Sequence, residues 1–405
     1  MRYTSRMSAK EPWRIVRLLA ITQIVSWGSL FYAFAILAAD MQRELGWRGE
    51  LIFGAYSLSL LVAGVAATPA GMLIDRAGGR VVMGCGSVLA AGGFALIGVA
   101  YTVTAYFAGW IIVGIAMSMV LYEAAFATIN REFLHAARQG ISVLTLFGGL
   151  ASTVFWPLTL KLNGIFGWRD TLLIYAAVHL LLCAPLHALL DVSAQPAARR
   201  LQMRGATLGE ALRAPAFWLL AVSFSCNMFV FSSLAVHLIP LLQRFGHGAA
   251  TAVLVATLIG PMQVAGRVAE LAFASRLSAR AVGRLTFAVM PAALLALLCY
   301  GEHAGAVAIF CMLYGASNGV LTIVRGTLPQ ELFGRDNYGA IAGALGAPSL
   351  VAKALGPLAA AMIVGWNPEP SWLLGILLAV ALFSLLCFMA AVRARPVVMA
   401  GAADL

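Results

Sequence analysis

The sequence predicts an all-α membrane protein in which twelve transmembrane helices form two six-helix bundles. Three observations predict it. Of 405 residues, 62% are hydrophobic and only 11% are charged, far from the balance of a water-soluble globular protein. Apolar runs long enough to cross about 30 Å of hydrocarbon, roughly 20 helical residues each, recur twelve times. They lie near 18–39, 51–74, 81–103, 106–129, 141–160, 171–190, 216–240, 250–275, 285–300, 305–327, 339–365 and 371–392. The longest polar interruption, 191–215, splits them six and six. Barrel strands would be half as long and would alternate polar with apolar, so helices are expected.

Taken in order, the first run follows Arg2, Arg6, Lys10, Arg14 and Arg17. It is too long for a signal-peptide core and eleven more follow, so it reads as an uncleaved anchor. With an even number of spans and this basic end inside, 19 of the 27 Lys and Arg fall on the cytoplasmic side, 5 on the periplasmic side and 3 within spans. That bias predicts both termini in the cytoplasm of a bacterial-type inner membrane. The net charge of +11 is then orientation signal plus attraction to anionic lipid. No basic domain stands outside the membrane, and a nucleic-acid partner is not expected.

The interruption DVSAQPAARRLQMRGATLGEALRAP is a linker, giving an expected organisation of 1–190, 191–215 and 216–405. Within it Thr207 and Glu210 have capping-box spacing ahead of Arg213 and Pro215, which predicts a short helix on the membrane surface. All six cysteines (Cys85, Cys183, Cys226, Cys299, Cys311, Cys387) lie in apolar runs without paired spacing and read as buried structural thiols. His179 and His187 share a helix face but lack an acidic or cysteine companion. No metal and no cofactor is expected.

Sliding the second half under the first by 200 residues superimposes Pro157-Leu158 on Pro357-Leu358 and Phe133 on Phe333. The Gly-rich fifth span (Gly148, Gly149, Pro157) meets the Gly/Pro-rich eleventh (Gly346, Pro348, Gly356, Pro357), predicting corresponding interrupted helices. Two related bundles with a site between them suit a rocking transporter.

Between spans two and three the chain reads GMLIDRAGGR. Gly71, Leu73, Asp75, Arg76, Gly78 and Arg80 match G-x-L-x-D-R-x-G-x-R, and the stretch resembles the signature loop of the major facilitator superfamily. Length, span count, linker and repeat extend the resemblance over the whole chain. It implies a loop that latches the cytoplasmic side while the outside is open. Gly71 would let helices approach, Gly78 would permit the turn, and Asp75 would pair with basic groups of a neighbouring helix. In the second half Leu271, Ser275 and Arg276 stand at the places of Gly71, Asp75 and Arg76. The acidic latch position is lost there, so asymmetric gating is expected. The segment QVAGR, Gln263 to Arg267, is similar to the acidic-x-x-x-Arg pattern in the eighth span of monocarboxylate transporters, with Gln263 in place of the acid. LPQELFGRDNYGAIAGAL at 328–345 resembles their loop into the eleventh span.

Ionisable groups inside spans are costly unless paired or facing water, and so mark function. Arg267 lies nine residues before Arg276, about 13 Å along the axis, and has Ala67 at the corresponding place in the first half. Two readings of it stand open: an ion pair with Glu270, one turn on, or an anion contact in a central cavity. Glu123 is the only acid buried in the spans of the first half and is the candidate proton-coupling group. Lys353 sits roughly 20 Å from the cytoplasmic end of the eleventh span and is a second candidate cavity cation. Arg325, near the cytoplasmic end of the tenth span, is a third candidate cation for the substrate, with reach to the interface as its alternative. Asn318, Gln263 and Asn227 could hydrogen-bond a substrate, and Trp27 and Tyr32 could form an apolar wall.

Three buried cations against two buried acids, Glu123 and Glu270, suit an anion such as a small carboxylate. The expectation is a secondary active transporter of a small organic anion, a monocarboxylate by resemblance, working by alternating access as a monomer with proton coupling. A drug or metabolite exporter driven by proton antiport is the alternative. A sensor without flux lacks a signalling domain, and an enzyme would need a clustered nucleophile, base or metal set that is not found. No G-x-x-x-x-G-K-[ST] loop suggests ATP drive.

Overall fold

A computed structural model describes residues 12–133, 136–190, 205–273 and 276–393, all helix and connecting loop. Arg2, Arg6, Lys10, Ser275 and most of the linker therefore lie outside the described residues. Among the described residues, eleven helices are long and apolar enough to cross a membrane. One of them, Ala137–Ala188, has 52 residues, about 78 Å and far more than a bilayer. Gly167, at φ 78 and ψ 171, divides it. That conformation is open to glycine and strained for other residues, and the split gives the twelfth crossing.

The crossings are α1 (Trp13–Leu45), α2 (Gly49–Ala77), α3 (Gly79–Gly98), α4 (Val103–Glu132), α5 (137–166), α6 (168–188), α7 (Pro215–Arg244), α8 (Ala250–Phe273), α9 (Ala279–Tyr300), α10 (Ala304–Phe333), α11 (Tyr338–Trp366) and α12 (Pro370–Arg393). Local chemistry sets their ends. The Thr102 hydroxyl accepts from the amide of Ala105 to start α4, Ser278 does the same for α9, and Gly46, at φ 65, closes α1. The short linker helix Leu208–Arg213 carries the expected capping box between Thr207 and Glu210. Its approach rests on the second half, where the Ala206 amide donates to the Phe333 carbonyl at 2.8 Å and the Gly205 amide to Asp336 at 3.0 Å.

The interruptions fall partly elsewhere than expected. Helix α5 does turn at Gly149-Leu150, but α11 runs unbroken through Gly346, Pro348, Gly356 and Pro357. The deepest breaks are an extended Leu121 inside α4, a turn at Thr257-Leu258 in α8 and a π-helical segment Trp27–Tyr32 in α1.

One buried apolar cluster lies wholly within residues 206–392. The first half has its own, around Phe94, Trp110, Trp168 and Tyr175. His179 and His187 belong to that half's polar interior, bonded to Ser29 at 2.8 Å and to Ser87 and Thr22 at 2.9 and 3.0 Å. The cysteines depart from expectation: Cys183, Cys311 and Cys387 are buried, whereas Cys85 and Cys299 are exposed, since a thiol is apolar enough to face lipid. A third cluster, around Ile74, Phe126 and Phe133, takes in Ile323, Tyr338 and Ala342 of the other half.

This third cluster lies at the membrane face that carries the Gly78 loop and the start of α11, called here the near face. Along α11 the residues from Tyr338 to Gly346 are buried apart from half-buried Ala344, whereas Ala354, Leu355, Leu358, Met362 and Trp366 are exposed. Helix α5 shows the same gradient, from buried Ile141 and Leu144 to exposed Leu160, Ile165 and Phe166. The halves are closed together at the near face and parted at the far face.

Candidate functional site

The site begins with the break in α4. At Leu121 (φ −81, ψ −167) the helix stops, and it restarts at Tyr122. The freed carbonyl of Val120 accepts a hydrogen bond from Gln23 Nε2 of α1 at 2.6 Å, as a buried backbone acceptor must find a partner. Glu123 is thereby placed in the first turn of a half-helix, where free amides and the helix dipole favour a carboxylate. Its Oε1 lies 3.2 Å from Arg325 Nη2 of α10, in the other half. Arg325 turns inward to this ion pair rather than outward to the interface. Tyr122, Glu123, Thr322, Arg325, Tyr338 and Gly346 line a pocket between the halves.

Arg267 stands on α8 and is only 6% exposed. Its Nε and Nη1 have no hydrogen-bond partner among the described residues. The alternative of a pair with Glu270 is not realised. Glu270 is taken by α5: Arg138 Nε donates to it at 2.9 Å, Arg138 Nη2 is also 2.9 Å away, and Ser142 Oγ donates at 2.5 Å. Arg267 points instead at the backbone of Gly149, where an added Cβ would sit 1.8 Å from Nη1. A Cβ on Gly148 would lie 2.3 Å from the Tyr122 hydroxyl. These two glycines make room for two site side chains. Small residues also fix the rotation of α8 against α10, since a Cβ at Gly266, Gly315 or Gly319 would meet backbone oxygen of the facing helix at 2.7, 2.4 and 2.2 Å. Tyr32 and Tyr122 are within electrostatic reach of Arg267.

The opposite wall is aromatic. Trp27, Phe31 and Tyr32 project from the π-helical segment of α1. Trp27 contacts Tyr122 at 4.9 Å, and Tyr32 meets Trp156 of α5 at 5.9 Å, edge to face. Lys353 of α11 lies across this wall, its Nζ 3.7 Å from the Phe31 ring centroid and 5.8 Å from that of Trp27. The structure thus gathers Arg267, Arg325, Lys353, Glu123, Trp27 and Tyr32 around one centre. Gln263 and Asn318 are half-buried and their side chains form no hydrogen bond with this group among the described residues. Buried Asn227 leaves its Oδ1 without a partner. Glu123 balances one of three cations and Glu270 balances none, so two positive charges stand without a carboxylate.

At the near face the signature loop holds the halves together. Asp75 Oδ1 and Oδ2 accept from the Gly339 and Ala340 amides at 2.9 Å each. These are the free donors at the start of α11, which follows left-handed Asn337 at φ 56. The expected pairing of Asp75 with basic side chains is therefore replaced by a backbone cap. Arg131 braces the end of α2 by donating to the Ile74 and Asp75 carbonyls at 2.6 and 2.7 Å. Gly71 permits the approach, since a Cβ there would lie 1.9 Å from the Gly339 carbonyl oxygen, and Gly78 makes the turn at φ 84. Arg76 and Arg80 are exposed at this face. In the second half the place of Asp75 is taken by Ser275, outside the described residues, and a different acid joins the halves. Glu270, one turn deeper than the degraded motif, joins α8 to α5 through Arg138 and Ser142, and Arg335 adds a bond to the Phe133 carbonyl.

Sequence reasoning missed the break at Leu121, the partner Arg138 and the π-helical segment. Gln23, the one amide side chain of the run 18–39, was an available signal for the break.

Two six-helix bundles that close around a charged, aromatic-walled centre, parted on one side only, define a membrane transporter rather than an enzyme. The chain belongs to the major facilitator superfamily: the family profile described as Major Facilitator Superfamily matches residues 19–357. Comparison with curated proteins gives no match. Among solved structures, the human organic anion transporter MFSD10 (TETRAN) is similar at a TM-score of 0.72 and 17% identity, covering 93% of this chain and 99% of that one. The E. coli fucose:proton symporter FucP is similar at a TM-score of 0.73 and 14% identity, covering 93% and 98%. FucP in an outward conformation gives a TM-score of 0.70 at 15% identity, covering 93% and 98%. At these identities the likeness is one of fold.

Proposed function

We propose that the protein is a proton-coupled secondary transporter of a small organic anion, a monocarboxylate, working by alternating access. The observation that carries this reading is Arg267: a guanidinium nine-tenths buried at the meeting of the halves, with two nitrogens unpartnered and its neighbouring acid bound elsewhere. A buried unpaired cation is costly, and an incoming carboxylate would relieve that cost. The surplus of positive charge makes the same centre a poor host for the lipophilic cations of many exporters.

In this account residues 1–190 and 216–405 rock about the site while 191–215 tethers them. The near face is the cytoplasmic face of a bacterial-type inner membrane, so the structure corresponds to the outward-open state. Protonation of Glu123 would release Arg325 from its ion pair and change the charge seen by the substrate, linking proton to anion. Gln263 and Asn318 would come into contact only once substrate or the opposite state brings α8 and α10 inward. An organic anion transporter and a fucose:proton symporter are among the similar structures, so anion binding and proton coupling both occur on this fold. Each protomer holds the full set of residues, and a monomer suffices.

Counterflow in proteoliposomes with labelled carboxylates and cationic drugs tests the reading. Exchange of carboxylates is expected, with net uptake stimulated by an inward proton gradient. Exchange of the drugs alone would overturn it in favour of a proton-antiport exporter.

A further inference from the structure

Arg267 fixes the charge of the substrate; the wall opposite it bears on the substrate's body. Three rings meet in sequence there: Trp27 with Tyr32 at 6.4 Å, then Tyr32 with Trp156 at 5.9 Å and an interplanar angle of 86°. The first two ride on the π-helical segment of α1, where a Cβ at Gly28 would collide with the Phe155 ring at 2.1 Å. Close packing of α1 on α5 at Gly28 therefore brings Tyr32 and Trp156 together. Trp156 is 48% exposed on the parted, far-face half of α5, about 10 Å along that helix from the Gly149 backbone against which Arg267 Nη1 lies, and Tyr32 is half-buried. An aromatic face left open about two turns along α5 from a free guanidinium is a platform for a flat ring joined to a carboxylate.

The second free cation does not ask for a second carboxylate. Lys353 is lodged on the Phe31 ring at 3.7 Å, so its charge already meets a π face. A two- or three-carbon acid would reach Arg267 and leave the Trp156 face in water.

We propose that the substrate is a monocarboxylate carrying a flat aromatic ring, with its carboxylate on Arg267 and its ring against Tyr32 and Trp156. This rests on the anion-transport reading above. The test is competition against labelled benzoate in proteoliposomes holding the full chain, with benzoate, phenylacetate, acetate, propionate and succinate as unlabelled competitors. Aromatic acids are expected to compete at least about tenfold better than acetate or propionate, equivalent to about 1.4 kcal/mol. Trp156→Ala should shrink that ratio to about threefold or less, while Trp156→Phe retains it; because the ratio is taken within one protein sample, any loss of folded protein cancels. A ratio near one in the wild type, succinate as the best competitor, or a ratio unchanged in Trp156→Ala would overturn the inference and leave anion transport standing. Absence of exchange with every carboxylate would overturn both.

Discussion

Two seams join the halves, α2 against α11 and α5 against α8, and the 200-residue repeat relates one to the other. They are built from different chemistry. The first is backbone on backbone: Cβ atoms added at Gly71, Gly343 and Gly64 would meet carbonyl oxygens of Gly339, Ala67 and Ala347 at 1.9, 2.3 and 3.3 Å, and Asp75 caps the end of α11. The second is side chain on side chain and charge on charge, with Glu270 held by Arg138 and Ser142. Arg267 is laid against Gly149. A seam of small residues has one close fit and no room for a ligand. A seam of long charged side chains leaves groups that can exchange partners. The first is suited to latching and the second to recognition, so the pseudo-symmetry of the fold does not extend to its chemistry.

The contrast can be broken at either seam. The largest effect is expected from Gly343→Leu, because the new side chain forces α2 and α11 apart; overpacking of about 3 kcal/mol would shift the closed near face on the order of 100-fold. Single cysteines placed in the near-face loops, unreactive in the wild type, should then label rapidly. Glu270→Gln should cost about 2–3 kcal/mol by stranding Arg138, and a Glu270→Leu, Arg138→Met pair should recover much of that loss, which the same labelling reports. Asp75→Asn keeps one carbonyl acceptor for two amides and should cost about 1–2 kcal/mol. The smallest structural change is expected for Glu123→Gln, whose thermal unfolding should stay close to wild type. Its uptake should no longer respond to an imposed pH gradient, while exchange continues.

The fold was legible because lipid imposes it: apolar runs of the right length and a biased Lys and Arg distribution need no tertiary information. The first seam was legible for a similar reason, since Gly71, Asp75 and Gly78 lie together in one loop. The second seam was not, because Glu270 and Arg138 are 132 residues apart and only packing brings α5 to α8. Its nearest sequence neighbour, Arg267, was the natural but wrong partner for Glu270. The glycines at 148 and 149 read as an interruption, which α5 has at Gly149-Leu150, and they are also a mould for Tyr122 and Arg267. Arg325 and Glu123 were each visible as buried charges, yet their union across the halves depended on the break at Leu121, which no glycine or proline marks.

The central claim is that Arg267 is kept free for the substrate while Glu270 holds α8 to α5 through Arg138 and Ser142. Equilibrium binding of a labelled aromatic monocarboxylate to purified Arg267→Ala protein, with wild-type thermal unfolding as the control for folding, tests it most directly. The account predicts affinity at least about 100-fold weaker, as for loss of one partner from a buried charge pair. An affinity within about twofold of wild type would contradict it.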